Sequence, residues 1–193
     1  WSPDRRSAVI EETGNKKTLY NFQTKQRSSI PSQWERFSFN NTGSTLAFQH
    51  LGGTTDTQWL ATADLNSGAI KLLTALGDRT YAVQPKWSPS NNTVAVATVP
   101  ISGNTQQMIF IKPDGQYGTQ TVIQGLYFNG QWSQDGKWLL YSTADPDQGL
   151  RPKLWIAIGE GTQAGTSQQL PFSTTSEQCS FDKNTRRLIC SVP

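Results

Sequence analysis

The chain has 193 residues, 16% of them charged and 35% hydrophobic, with a formal net charge of +3. Its basic residues are scattered in pairs (Arg5-Arg6, Lys16-Lys17, Arg186-Arg187) that read as solvated turn charges, not as the clustered stripe that nucleic acid requires. One histidine and two cysteines exclude a metal centre built on several such ligands, and no apolar run is long enough to insert in a membrane as a helix.

In chain order, Trp1-Ser2-Pro3-Asp4 leads into an expected strand at Ser7–Glu12, followed by Thr18–Phe22 and Arg27–Ile30. Phe37-Ser38-Phe39-Asn40 precedes Thr45–His50, then Gln58–Leu65 and Ile70–Thr74. Trp87-Ser88-Pro89-Ser90 precedes Thr93–Val99, Gln107–Lys112 and Thr119–Gln124. Trp132-Ser133-Gln134-Asp135-Gly136 precedes Trp138–Thr143, Lys153–Ile158 and Ser167–Leu170. Cys179-Ser180-Phe181-Asp182 precedes Arg187–Val192. The segments are short, rich in Val, Ile, Leu, Thr and aromatics, and punctuated by Gly, Pro, Asn, Asp and Ser. No segment carries a capped 3.6-residue apolar stripe, so no helix of length is expected.

The anchors at positions 1, 37, 87, 132 and 179 recur every 36–50 residues. A four-stranded propeller blade takes about 40–50 residues. The expected fold is therefore all-β: a β-propeller of four-stranded antiparallel blades, about four complete blades plus a partial one, forming part of a larger ring. The single propeller region covers 1–193, with blades near 1–36, 37–86, 87–131, 132–178 and, in part, 179–193. The first unit opens on the motif and lacks most of its first strand.

Cys179 occupies the position that Trp holds in other copies, and Cys190 lies eleven residues on, as Phe48 does from Phe37. The comparable pair in the fourth unit is Trp132 and Tyr141. The two sulfurs then face each other across the fifth hairpin, around Asp182–Arg186, close enough for a disulfide. That bond implies an oxidising compartment. The alternative is two small buried residues with free thiols; the facing placement favours the bond.

These repeats resemble the WD40-like repeats of TolB-type β-propellers, whose blades carry a Trp-Ser-Pro-Asp-Gly turn before an apolar strand. The resemblance runs over the whole chain. Trp1–Asp4, Trp87–Pro89 and Trp132–Gly136 match well; Phe37–Asn40 and Cys179–Asp182 lack Trp and Pro and carry longer turns. Such blades build TolB, a bacterial periplasmic protein-binding module, the gating propellers of prolyl-oligopeptidase-like serine peptidases, and some polysaccharide lyases. Fold does not choose among these functions.

The residues themselves show no reaction centre. His50 precedes Leu51-Gly52-Gly53, where a loop leaves the blade, and could line a pocket. No nucleophile elbow or phosphate-binding loop occurs. Asp145-Pro146-Asp147 offers two carboxylates but lacks the ligand ladder of a calcium loop. Asn40-Asn41-Thr42 and Asn91-Asn92-Thr93 match the N-glycosylation pattern, yet turns hold Asn regardless. Longer loops are expected at one end of the blades: Leu51–Thr57, Pro100–Gln106 and Ala144–Pro152 within blades, and Ala75–Gln84, Gly125–Gly130 and Pro171–Glu177 between them. These loops carry Arg79, Tyr81, Tyr127, Asp145, Asp147 and Arg151, which with His50 are the candidate binding residues. First-strand residues Trp34, Gln84 and Gln131 are expected near a central channel. The expected function is a non-catalytic binding or scaffold module, periplasmic or extracellular, recognising a protein or a glycan without cofactor or metal. It could be membrane-tethered through residues outside this chain. The alternative is the propeller domain of a larger enzyme such as a prolyl-oligopeptidase-like serine peptidase.

Overall fold

The computed structural model describes residues 1–182 and 187–191, in which all helices are three-residue 3-10 turns. The first sheet holds β1 (Ser7–Glu12), β2 (Lys16–Asn21) and β3 (Arg27–Ile30). The second holds β4 (Trp34–Phe39), β5 (Thr45–Leu51), β6 (Gln58–Asp64) and β7 (Ile70–Ala75). The third holds β8 (Val83–Pro85), β9 (Ala95–Ser102), β10 (Thr105–Ile111) and β11 (Tyr117–Gln124). The fourth holds β12 (Leu126–Trp132), β13 (Trp138–Ala144), β14 (Pro152–Ile158) and β15 (Ser167–Gln169). A last pair is β16 (Cys179–Phe181) with β17 (Leu188–Cys190). Within each sheet, neighbours are consecutive in the chain, the meander expected of a propeller blade.

The repeated turn has one hydrogen-bond plan. The amide of Ser2 donates to the carbonyl of Ser7, and the same five-residue closure joins Asn40 to Thr45, Ser88 to Thr93, Ser133 to Trp138 and Asp182 to Arg187. In the first four turns the leading side chain also accepts from the amide five residues on, at 2.9–3.0 Å. The fourth position is left-handed in these turns, at Arg5, Gly43, Asn91 and Gly136, with φ between 60° and 72°. Glycine takes that conformation at no steric cost, and asparagine more readily than most.

This plan corrects two sequence anchors. In the second unit the repeat begins at Phe39-Asn40, not Phe37-Ser38, and in the fifth at Phe181-Asp182, not Cys179-Ser180. Ser38 and Ser180 mimic the motif by letter while sitting two residues early. Asn40 is committed to its turn: its amide donates to Thr42 and Ser44 while its oxygen accepts from Thr45. Trp132 faces Leu139, and Tyr141 faces Gly130, so the expected Trp132–Tyr141 pair does not form.

Cys179 and Cys190 do face each other and are joined by a disulfide, with Cα atoms 4.0 Å apart. Hydrogen bonds at Asp182–Arg187 and at Ser191–Gln178 bracket them. Alternation along an antiparallel ladder then makes the cysteines a non-hydrogen-bonded pair, where side chains approach most closely. The intervening residues 183–186, which include Arg186, lie outside the described residues.

Three further expectations are corrected. Pro100–Gln106 is not a long loop: β9 runs to Ser102 and β10 begins at Thr105. Gly125–Gly130 is mostly strand β12. Lys17 is no turn charge, since it sits in β2, 2% exposed, with its ammonium on Glu35 and the Ser32 carbonyl.

The chain forms two compact units, 1–96 with 111–116, and 97–110 with the described residues from 117 onward. In the first, Leu46-Ala47-Phe48-Gln49 of β5 are all buried; in the second, so are Leu139 through Thr143 of β13. Consecutive burial means that both faces of these strands are covered. Burial pushes the Tyr141 hydroxyl up to about 12, so the phenol stays neutral.

Candidate functional site

The second sheet makes a pocket from a simple register. His50 on β5 is paired with Trp34 on β4 and with Trp59 on β6. Side chains alternate faces along a strand, so these three stand in one row on one face. The next row on that face is Phe48, Ala61 and Leu72; the one after is Leu46, Ala63 and Ile70. The β6 column therefore reads Trp59, Ala61, Ala63, with two small residues between bulky columns. The result is a cavity of about 320 Å³ bounded by Trp34, His50, Trp59 and Leu72 over Phe48 and Ala61.

Trp34 stacks on the buried Phe48 ring, centroids 3.7 Å apart and planes 16° from parallel. A register shift between Glu35 and Ser38, with Arg36 at φ 54°, bends β4 beside this stack. Ile70 and Leu72 form an exposed outer wall. The Thr57 hydroxyl, also on the rim, donates to the Thr54 carbonyl. His50 is half-buried and, among the described residues, its imidazole has no hydrogen-bond partner. A mostly apolar and aromatic hollow of about 300–1,000 Å³ with a few polar groups is the usual form of a small-ligand or side-chain pocket.

Arg79 and Tyr81 lie in the same unit, on the turn before β8. Arg79 caps the 3-10 turn Thr80–Ala82, and Tyr81 stands 64% exposed at its tip. The turn is tied down from beneath: the buried Gln49 amide donates to the carbonyls of Thr80 and Val83. In the other unit Gln131 does the same to the carbonyls of Ser176 and Cys179, spaced identically, beneath a turn whose tip is Glu177. Gln131 and Trp34 thus have specific packing roles: one clamps a turn, the other stacks in a pocket wall.

The remaining candidates belong to the second unit. Asp145 caps the 3-10 turn Pro146–Gln148, accepting from the Asp147 amide. Asn104 donates one hydrogen bond to each carboxylate, at 2.7 and 2.8 Å, and the Lys153 ammonium lies 3.7 Å from Asp145. The two carboxylates are thus tied to local partners. Among the described residues no three His, Cys, Asp or Glu side chains gather as a metal site would need. Arg151 is exposed beside Thr174 and Gln178 at a shallow hollow. Tyr127 is not on a loop: it lies in β12, at a register shift with φ 57°, and is 68% exposed.

Sequence reasoning named His50, placed Trp34 near a central channel and not beside His50, and did not single out Trp59. The signal was present, since all three alternate in phase along their strands, but only the hairpin register puts them side by side.

No protein-family model matches the sequence, and no curated protein does. Solved structures do match. The β-propeller domain of the Trilobed protease from Pyrococcus furiosus aligns with TM-score 0.58 at 10% identity, over 87% of this chain and 53% of that one. The tricorn protease aligns with TM-score 0.52 at 14% identity, over 91% of this chain and 19% of that one. An oligogalacturonate lyase solved with manganese aligns with TM-score 0.50 at 15% identity, over 88% and 51%. The chain has the β-propeller fold, and it spans about half the length of the Trilobed propeller domain.

Proposed function

We propose that the chain is a TolB-type propeller module that binds a protein partner outside the cytoplasm and performs no chemistry itself. The observation carrying this reading is the open aromatic pocket beside His50, together with the exposed Tyr81 turn that Gln49 clamps from the other face of the same strand. Aromatic anchors on a fixed scaffold are how protein interfaces concentrate their affinity. Two features argue against catalysis at the candidate residues. His50 has aromatic and aliphatic neighbours and, among the described residues, no carboxylate to orient it; Asn104 holds Asp145 and Asp147, and Lys153 lies on Asp145. The Cys179–Cys190 bond supports an oxidising compartment, periplasmic or extracellular.

Photo-cross-linking tests the binding role. A benzophenone residue at Tyr81 should capture a discrete partner from an envelope or secreted fraction, while the same probe at Asp114, on the opposite turn end of its sheet, should not. Equal capture at both positions, or peptide or oligouronide cleavage by the purified chain, would refute the reading.

A second reading is the propeller domain of a larger enzyme, most simply a prolyl-oligopeptidase-like peptidase. The protease propellers among the structural neighbours and the partial coverage favour it. An α/β-hydrolase domain with a nucleophile elbow in the same reading frame would decide for it.

A further inference from the structure

We propose that the hollow over Ala61 takes a phenolic ring, the side chain of a tyrosine displayed by a protein partner, with the ring on the apolar floor and its hydroxyl on His50. The proposal rests on the binding role above and specifies the group bound. Among the described residues no carboxylate, ammonium or guanidinium lines the cavity, so a neutral ligand matches it. Its volume of about 320 Å³ is ample for a ring-sized group, since an engineered apolar cavity of about 150 Å³ already holds benzene.

The polar inventory narrows the chemistry further. Among the described residues, His50 is the one lining side chain without a partner that can both donate and accept: the indole N–H groups of Trp34 and Trp59 only donate, and the Thr57 hydroxyl is already bonded to the Thr54 carbonyl. A neutral imidazole offers one donor and one acceptor. A phenol can answer either, whichever nitrogen faces it, whereas an indole can only donate. An aliphatic or phenyl group would cover the imidazole edge without bonding it. A sugar would press several hydroxyls against Phe48, Ile70 and Leu72 with His50 alone free to accept from them, which is costly.

The test is a titration of 15N-labelled protein with N-acetyl-L-tyrosinamide, N-acetyl-L-phenylalaninamide and methyl β-D-glucopyranoside, following the indole N–H signals. The tyrosine amide should give saturable shifts at Trp34 and Trp59 and leave Trp87 and Trp155 unmoved. The phenylalanine amide should bind about two- to tenfold more weakly, the range one net hydrogen bond provides. His50→Phe should erase that difference. Ala61→Leu should abolish binding by filling the floor. Should that variant fail to fold, Leu72→Lys on the exposed wall should weaken both amides. No saturable shift at Trp34 and Trp59, equal affinity of the two amides for the wild-type protein, or saturation by the glucoside instead would each overturn the assignment. A partner still captured through Tyr81 in that event would leave the binding role standing, so the two failures separate.

Discussion

Ser133→Ala probes the turn on which every blade depends. Ser133 is buried; its hydroxyl donates to Asp135 at 2.7 Å and accepts from the Trp138 amide at 2.9 Å. Alanine removes both bonds and strands a part-buried amide. One net hydrogen bond contributes about 0.5–1.5 kcal/mol, and an unsatisfied donor costs about 1–3 kcal/mol. The expected loss is about 1.5–3 kcal/mol. For a chain of this size each kcal/mol lowers Tm by about 2–4 °C, so the melt should fall by about 3–12 °C. Scanning calorimetry reads the melt, and hydrogen exchange at the Trp138 amide reads the local opening. The structure supplies its own rescue: Asn40 holds the equivalent amide of Thr45 at 3.0 Å in a turn of the same length. Ser133→Asn should therefore recover at least half of the loss. If Ser133→Ala melts with the wild type and Trp138 exchanges at the wild-type rate, or if Asn is as damaging as Ala, the shared-turn argument is wrong.

Three more outcomes follow from separate features. Replacing both cysteines by serine should cost about 3 kcal/mol, the chain-entropy value for a loop of this length, and reductant should lower the wild-type Tm towards that of the variant; a melt indifferent to reductant would contradict the bond. Gly115→Ala should cost about 2–4 kcal/mol, because φ is +89° and a Cβ would lie 2.4 Å from the Leu73 carbonyl oxygen; a loss under about 1 kcal/mol by calorimetry would mean the contact relaxes freely. The Ser133 hydroxyl bond holds the Asp135 carboxyl below its usual value, as the Ser2 bond does for Asp4. A carboxyl depressed in the folded state stabilises above its unfolded pKa, and that contribution is lost as pH falls from about 4 through the folded value. Denaturant titrations from pH 6 to 2 should thus show a shallower acid decline for Asp135→Asn than for the wild type; parallel curves would discount the carboxylate.

Much of the fold could be read from the letters, because blades repeat and their turns carry a chemical signature. The strands β1, β3, β7 and β13 fall within a residue or two of expectation, since turn residues bound them sharply. Two anchors were misplaced because the turn needs a side-chain acceptor, not serine as such. Asn40 fills the position with another letter and Asp182 leads the fifth backbone closure, while Ser38 and Ser180 imitate the motif nearby. The Cys179–Cys190 pairing survived this shift because both arms of the hairpin moved together in register. Of the site, His50 was visible as an isolated titratable residue at a strand end. Its adjacency to Trp34, Trp59 and Ala61 was not, because that arises from pairing across three strands and from two small residues in one column. Tyr127 was mistaken for a loop residue because a β-bulge uses the same exposed, irregular backbone that a loop does. Asp145 and Asp147 looked available because Asn104, their partner, is more than forty residues away in sequence.

The glutamine clamps have a bearing on how this surface can change. Gln49 and Gln131 grip main-chain oxygens, which every amino acid possesses, and leave the tip side chains Tyr81 and Glu177 outside the grip. Whatever residue mutation installs at either tip inherits a prepared backbone. Recognition could therefore be rewritten at Tyr81 while the framework beneath keeps its shape, which makes that tip the natural grafting point for a randomised library; Glu177 also holds the Asn129 amide, so a change there gives up one contact.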